Sequence, residues 1–301
     1  MFKKVLVPLD GTPQAAAALP LARTIAHTTE GSLLLLRVTD EADRSGDPER
    51  YLHAIAKELQ DDSIECIVRR GTAADQIVAI ARDLSADVIV MATHGRVGIE
   101  RILASSVAER VLTHSQVPLV LVRPGGKRVT HLKTLLVPTD GTAGAALALG
   151  TAVGLARASN ARLVLVEAIE PIPLWVYGAD YGVAPSYIDP AWEDEAVTSA
   201  DTYIRGLVSR LQTAGVKAQG HALKGDAVAA IETVADEADA DLIIMSTHAY
   251  TGPARTLLGS TADALVRTAK RPVLLVRRPA GAPDYEAAQI ADANLVGAPT
   301  G

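Results

Sequence analysis

An internal repeat is the feature that most constrains the fold of this 301-residue chain. The segment KKVLVPLDGTPQAAAAL at 3–19 returns as KTLLVPTDGTAGAALAL at 133–149, at an offset of 130 residues. Farther along, ADVIVMATH at 86–94 returns as ADLIIMSTH at 240–248, at an offset of 154. A unit written twice predicts two copies of one fold. The offset grows from 130 to 154, so the second copy contains 24 extra residues. We expect them within an insertion at 170–195.

Each copy has the pattern of an α/β domain. Short runs that are apolar on both sides alternate with Ala-rich helical patterns, which is typical of βαβ units and of a parallel sheet covered on both faces. In the first copy the predicted strands are 5–9, 33–38, 64–69, 88–92 and 119–122, and the predicted helices are 13–27, 47–60, 73–84 and 106–114. The sequence therefore predicts two tandem, doubly wound parallel-sheet domains of Rossmann-like type.

A short segment separates the copies. RPGGKRVTH, at 123–131, combines turn residues with like charges and predicts the boundary. We therefore expect domains at 1–126 and 130–279. The end of the chain, 280–301, mixes Pro, Gly and Ala without periodicity and is expected to be a mobile tail.

Composition argues against several classes of partner. The net charge is -6 and the 29 Lys and Arg residues are scattered, so no basic footprint indicates nucleic acid or a membrane surface. The single cysteine, Cys66, excludes an internal disulfide and any cysteine-based metal cluster, and it favours a reducing compartment. The N-terminus MFKKVLVPLD lacks the apolar segment of a signal peptide. We expect a cytoplasmic chain with no membrane partner.

Two loops of each copy fall where parallel sheets bind ligands. PLDGT follows the first strand and MATHG follows the fourth, so Asp10 and the Gly95 loop are expected to face one crevice at the carboxyl ends of the strands. Their counterparts in the second copy are the Asp140 loop and MSTHA, which contains Ala249.

The Gly95 loop leads to a predicted helix start. Ser106 and Glu109 make a capping-box pattern, and Ser260 and Asp263 nearly repeat it. Free N–H groups and the helix dipole at such a start suit a phosphate, and Arg96 would add positive charge. The alternative is that any strand-to-helix connection needs small residues and a capping serine.

These loops resemble the nucleotide signature of the universal stress protein family, which is Gly, two residues, Gly, nine residues, Gly, then Ser or Thr. Both copies keep that spacing, but each retains one of the three glycines, Gly95 in the first and Gly259 in the second. The chain resembles tandem two-domain members over nearly its whole length, apart from the insertion and the tail.

The resemblance implies that each copy binds an adenine nucleotide (ATP, ADP or AMP, with or without Mg²⁺). In the family the Asp after the first strand contacts the adenosine, the residue ending the second strand flanks the adenine, and the glycine loop holds the phosphates. The candidates in the first copy are Pro8, Asp10, Val38, Met91, Ala92, His94, Gly95, Arg96, Ser105, Ser106 and Val107. Those in the second copy are Pro138, Thr139, Asp140, Ala168, Met245, Ser246, His248, Ala249, Gly259, Ser260 and Thr261.

The expected role is a stress-response sensor or regulator and not an enzyme. His94 and His248 have no carboxylate or second His at ligand spacing, so a loop hydrogen bond explains them better than catalysis or a metal. No Walker A or hydrolase elbow occurs. Slow ATP hydrolysis or autophosphorylation stays an alternative, as does a scaffold without bound nucleotide whose partners contact the insertion.

The family resemblance also implies how the copies assemble. The last strands, 119–122 and 274–277, are expected to pair antiparallel and to relate the domains by a pseudo-two-fold axis. A homodimer of whole chains is a further expectation. The insertion carries Trp175, Tyr177 and Tyr181, which fit either a surface loop or a lid that docks a partner.

Overall fold

The computed structural model describes residues 1–40, 46–61, 63–93, 107–170, 190–247 and 259–277. The strands are β1 Lys4–Leu9, β2 Ser32–Thr39, β3 Glu65–Arg70, β4 Val88–Ala92, β5 Leu119–Val122, β6 Thr134–Pro138, β7 Arg162–Ile169, β8 Ala218–Lys224, β9 Leu242–Thr247 and β10 Val273–Arg277. The helices are α1 Pro13–Ala16, α2 Leu19–Thr28, α3 Pro48–Leu59, α4 Ala73–Asp83, α5 Val107–His114, α6 Ala143–Ser159, α7 Pro190–Thr213, α8 Ala227–Glu237 and α9 Ser260–Thr268. The five strands predicted for the first copy are confirmed to within one residue at each end.

The described strands form one sheet in the order β3-β2-β1-β4-β5-β10-β9-β6-β7-β8. β5 and β10 are antiparallel, and the other neighbouring pairs are parallel. Read from the centre outwards, the order is the same in both halves, as a pseudo-two-fold axis between β5 and β10 requires. The predicted fold class, two tandem doubly wound α/β domains, is confirmed.

Both faces of the sheet are covered by helices, because its strands are apolar on both sides. Leu35 and Leu36 are adjacent in β2 and both fully buried, one in each of two core layers. The first core layer lies under α1, α2, α3, α6 and α7, and the second lies under α4, α5, α8 and α9. The described part of the chain contains no helix that is both long and apolar enough to cross a membrane.

The single helix predicted over 13–27 is wrong. The structure has α1, capped by Thr12, and then α2, which carries Pro20 in its first turn. The proline nitrogen has no hydrogen to donate to a carbonyl in the preceding turn, so a continuous helix would leave that carbonyl without its bond. Ala17 and Ala18 keep helical dihedral angles, but their amides donate to the carbonyl oxygens three residues earlier, so the α-helical hydrogen-bond ladder is interrupted between α1 and α2.

Part of the insertion lengthens a helix. α7 has 24 residues, whereas its counterpart α3 has 12. The buried Ile204 and Leu207 of α7 match the buried Leu52 and Ile55 of α3 at an offset of 152, so Tyr203 takes the place of Tyr51. The added turns therefore lie at the amino end of α7 and include positions 190–195 of the insertion. The rest of the insertion, with Trp175, Tyr177 and Tyr181, and the tail lie outside the described residues.

Hydrogen bonds and an ion pair join the two halves beyond the shared strands. In the β5–β10 pair, Val120 lies opposite Leu274. Arg277 Nη1 donates to the carbonyl oxygens of Thr113, in the last turn of α5, and of Ser115. Within the linker, the Nζ atom of Lys127 is 2.9 Å from Asp241 Oδ1. Val129 of the linker is buried. The predicted boundary segment is thus packed against the second half.

Candidate functional site

The DGT loop after the first strand is built identically in both halves. In the first half, Asp10 Oδ1 accepts hydrogen bonds from the Thr12 amide (2.9 Å) and hydroxyl (2.6 Å). The Thr12 hydroxyl in turn accepts from the amide of Ala15 at 3.2 Å and caps α1. Gly11 between them has φ +86°, in the left-handed region that glycine favours. This Asx turn fixes the carboxylate at the carboxyl end of β1.

The second half repeats the geometry atom for atom. Asp140 Oδ1 accepts from the Thr142 amide at 3.0 Å and hydroxyl at 2.6 Å, and the Thr142 hydroxyl accepts from the amide of Ala145 at 3.3 Å. Gly141 has φ +75°. Each predicted Asp therefore stabilises its own loop through these hydrogen bonds. It also lies at the carboxyl edge of the sheet, where parallel sheets bind ligands.

The fourth-strand ends lie at the same edge as the Asp loops. β4 pairs with β1, and β9 pairs with β6. Ala92, which ends β4, and Ser246, one residue before the end of β9, therefore lie beside the two loops. A side-chain carbon built on Gly144, in the first turn of α6, would be 2.9 Å from Ser246 Oγ. The serine at this glycine position of the signature thus fits against α6 because residue 144 has no side chain.

In the first half, a charged cluster that the sequence analysis missed adjoins the Asp10 loop. Arg37, in β2, is 4% exposed, and a carbon built on Gly11 would be 2.8 Å from its Nη1 atom. The guanidinium carbon lies 5.9 Å from the ring centroid of Tyr51, within the range of a cation–π contact. Burial and the Asp10 charge raise the pKa of Tyr51, and the Arg37 charge opposes them. Asp10, Arg37 and Tyr51 therefore form one electrostatic group.

The second half has an anion where the first has Arg37. Glu167, in β7, is half-buried, and its Oε2 atom has no hydrogen-bond partner among the described residues. Burial, with the charge of Asp140, raises the pKa of Glu167 to about 7. Burial also raises the pKa of Tyr203. The hydrogen bond between Tyr203 and Thr139 lowers this pKa, and the charge of Glu167 raises it further. With a pKa of about 7, about half of the Glu167 carboxyl groups are ionised at neutral pH.

A simple signal in the sequence could have revealed both residues. The offset of 130 aligns Arg37 with Glu167, and each directly precedes a predicted adenine-flanking residue, Val38 or Ala168. A charged residue inside an otherwise apolar strand is rarely buried unless an interaction partner or a functional role stabilises its charge there. Its change of sign between the repeats was visible before any coordinates.

The predicted site residues are only partly described. Val38, Met91 and Met245 pack in or against the second core layer. The described candidates are Pro8, Asp10, Val38, Met91, Ala92, Val107, Pro138, Thr139, Asp140, Ala168, Met245, Ser246, Gly259, Ser260 and Thr261. The candidates outside the described residues are His94, Gly95, Arg96, Ser105, Ser106, His248 and Ala249.

The capping box predicted for the second copy is wrong. Gly259, with φ +76°, is the residue that precedes α9, and Ser260 is already its first helical residue. Asp263 does not reach back to the cap, because its carboxylate binds Arg267 at 2.9 Å. Among the described residues, no side chain caps the amides that begin α9. In the first copy, α5 begins at Val107, and the predicted cap falls outside the described residues.

Within the described ranges, no three His, Cys, Asp or Glu side chains are grouped as a metal site would need. The described charged side chains at the two Asp loops are the carboxylates of Asp10, Asp140 and Glu167 and the guanidinium of Arg37.

Comparison with known proteins identifies both halves. The model of the universal stress protein family matches residues 1–123 and 131–277. Universal stress protein MJ0531 of Methanocaldococcus jannaschii is 30% identical over 141 residues, which are 41% of this chain and 83% of that protein.

Two crystal structures match nearly the whole chain. That of a functionally unknown protein, PA1789 of Pseudomonas aeruginosa PAO1, has a TM-score of 0.67 at 19% identity and covers 98% of each chain. That of a universal stress protein of Archaeoglobus fulgidus DSM 4304 has a TM-score of 0.63 at 19% identity and covers 93% of this chain and 97% of its own. At these identities the likeness is one of fold.

Proposed function

This chain belongs to the universal stress protein family as a tandem two-domain member, and on that premise we propose that it binds adenine nucleotides and acts as a non-catalytic stress-response sensor or regulator. The observation that carries the proposal is the duplicated Asx turn. It holds Asp10 and Asp140 at the carboxyl edge of the sheet, where parallel α/β folds bind ligands.

The start of α9 supports a phosphate role for the glycine loop. Gly259 adopts a positive φ, and no side chain in the described part of the structure caps the helix amides after it. Free amides at a helix N-terminus bind anions, and a residue without a side chain lets an anion approach them. In this arrangement the adenosine of one nucleotide contacts Asp140, and the phosphate chain of the same nucleotide lies at the start of α9, across the same cleft.

The test is calorimetric titration of the full chain with ATP, ADP and AMP, with and without Mg²⁺. The decisive variant is Asp10→Asn, which keeps an Oδ1 acceptor for Thr12 but removes the charge. We expect it to weaken nucleotide binding in the first half by about 10-fold, since a hydrogen bond to a charged group contributes about 1.5–3 kcal/mol.

A matched control is available elsewhere in the chain. Asp61 makes the same Asx turn with Ser63, at 2.9 Å and 2.6 Å, but it precedes β3 at the opposite edge of the sheet. Asp61→Asn should leave nucleotide binding unchanged. The absence of any heat at millimolar ATP, ADP and AMP would contradict the proposal and favour the scaffold alternative.

Three further parts of the proposal have their own tests. Measured ATP turnover under saturating nucleotide would overturn the assignment as non-catalytic. Light scattering of the purified chain decides whether it forms the proposed homodimer, and cell fractionation decides the proposed cytoplasmic location.

A further inference from the structure

The two halves carry opposite charges at one equivalent position beside otherwise identical Asp loops. Arg37 in β2 aligns with Glu167 in β7 at the repeat offset of 130. Each lies near the tyrosine at the equivalent helix position, Tyr51 or Tyr203. Replacing a cation by an anion changes the charge next to the loop by two units. The two clefts, whose Asp loops have the same backbone conformation, thus offer different electrostatic environments to a ligand.

The first cleft contains a buried cation. Arg37 is almost wholly removed from solvent and lies against Gly11, the central residue of the Asp10 loop. A charge in such surroundings is screened less by salt than one at the surface and acts more strongly on its neighbours. The guanidinium offsets the Asp10 carboxylate, so this edge of the cleft does not repel an anionic ligand.

The second cleft contains two carboxylates and a buried acceptor. Asp140 and Glu167 are close enough for the charge of one to disfavour ionisation of the other. A polyphosphate that enters this cleft meets repulsion from both. Glu167 Oε2, which has no hydrogen-bond partner among the described residues, requires a donor. The hydroxyl groups of a ribose and the amino group of adenine are such donors.

Resting on the nucleotide-binding function proposed above, we propose that the two clefts select ligands by charge. The first cleft takes the anionic adenine nucleotide. The second takes an uncharged adenine nucleoside, whose hydroxyl or amino groups donate to Glu167, and it excludes the polyphosphate while that carboxylate is ionised.

The charge state of Glu167 then sets the selectivity of the second cleft. Asp140 faces it from the β6–α6 loop, Tyr203 and Arg210 belong to α7, and Lys224 ends β8 on the same face by strand alternation. With a pKa of about 7, the carboxyl group is mostly protonated at pH 6 and mostly ionised at pH 8. If only the protonated form admits ATP, the ATP affinity of this cleft falls about 10-fold between these two pH values.

The test is calorimetric titration of the full chain with ATP and, separately, with adenosine at pH 6 and pH 8. At pH 8 we expect one tight ATP site per chain and an additional site that accepts adenosine. Glu167→Gln removes the charge and preserves the shape, so it should give the second cleft a pH-independent ATP affinity about 10-fold above that of the wild type at pH 8. Asp10→Ala should remove the remaining tight ATP site, which assigns that site to the first half.

Glu65→Gln, an exposed glutamate of β3, is the control for a general change in net charge and should alter nothing. Two ATP sites of equal affinity in the wild type at pH 8 overturn the inference and leave the proposed function intact. So does a second cleft whose ATP affinity at pH 8 is the same in Glu167→Gln and the wild type. No binding of ATP or adenosine by any form at either pH refutes the proposed function itself, and the inference falls with it.

Discussion

Glu167 should make the free energy of unfolding depend on pH even without a ligand. Its pKa is about 7 in the folded chain, against an ordinary value of 4.5, so the folded state holds this proton more tightly than the unfolded chain does. Stability therefore falls as the pH rises from about 4.5 to 7, and the loss is complete above pH 7. Glu167→Gln, which has no proton to lose, should not show this fall.

The magnitude follows from the same numbers. The full difference between the two pKa values would correspond to about 3 kcal/mol, at about 1.4 kcal/mol for each tenfold change in proton affinity. Glu167 is still partly exposed to solvent, and solvent screening reduces this electrostatic contribution. We expect the Gln variant to gain about 1–2 kcal/mol over the wild type at pH 8, and less than half of that at pH 4.5.

Urea denaturation followed by circular dichroism at pH 4.5, 6 and 8 measures this difference. Glu65→Gln serves again as the control, because its side chain is exposed at the edge of β3. Parallel pH profiles for the wild type and Glu167→Gln would refute the reasoning, since they would mean that the carboxyl group titrates alike in the folded and unfolded chains.

Two further predictions concern stability, and each compares two residues of the same type. Asp241 is buried, and its Oδ2 accepts from two backbone amides of the second half at 2.7 Å and 3.0 Å, whereas Asp87 is exposed and accepts from one at 2.8 Å. In urea denaturation, Asp241→Asn should therefore cost about 1–3 kcal/mol and Asp87→Asn clearly less, and equal losses would contradict this. Gly11 and Gly125 both have positive φ, +86° and +81°, but a side-chain carbon meets Arg37 only at Gly11. Gly11→Ala should be the more destabilising by about 1 kcal/mol or more, and a smaller loss at Gly11 than at Gly125 would show that Arg37 moves aside freely.

Much of the fold could be predicted because its signals are local. The strands of the first half are short apolar runs, and the DGT turn needs Asp, Gly and Thr at adjacent positions. Each signal lies within about ten residues, so the repeat could be recognised without coordinates. The helix predicted over 13–27 failed for a local reason as well, since Pro20 was visible but was given too little weight.

The electrostatic difference between the clefts required the tertiary structure. Arg37 and Tyr51 lie on different elements, and Glu167 and Tyr203 are 36 positions apart, with the whole insertion between them. Whether these groups meet depends on the length and position of α7, which the sequence analysis treated only as an insertion. Burial then decides their charge state, because removal from water is what raises the pKa of Glu167 most.

The sequence by itself thus determined the duplicated α/β architecture and the two Asp loops, because hydrophobic periodicity and turn chemistry act between near neighbours in the chain. Only the tertiary structure decided that one loop adjoins a buried cation and the other a half-buried acid. Ionisation depends on the distances and solvent exposure that packing creates between residues far apart in the sequence.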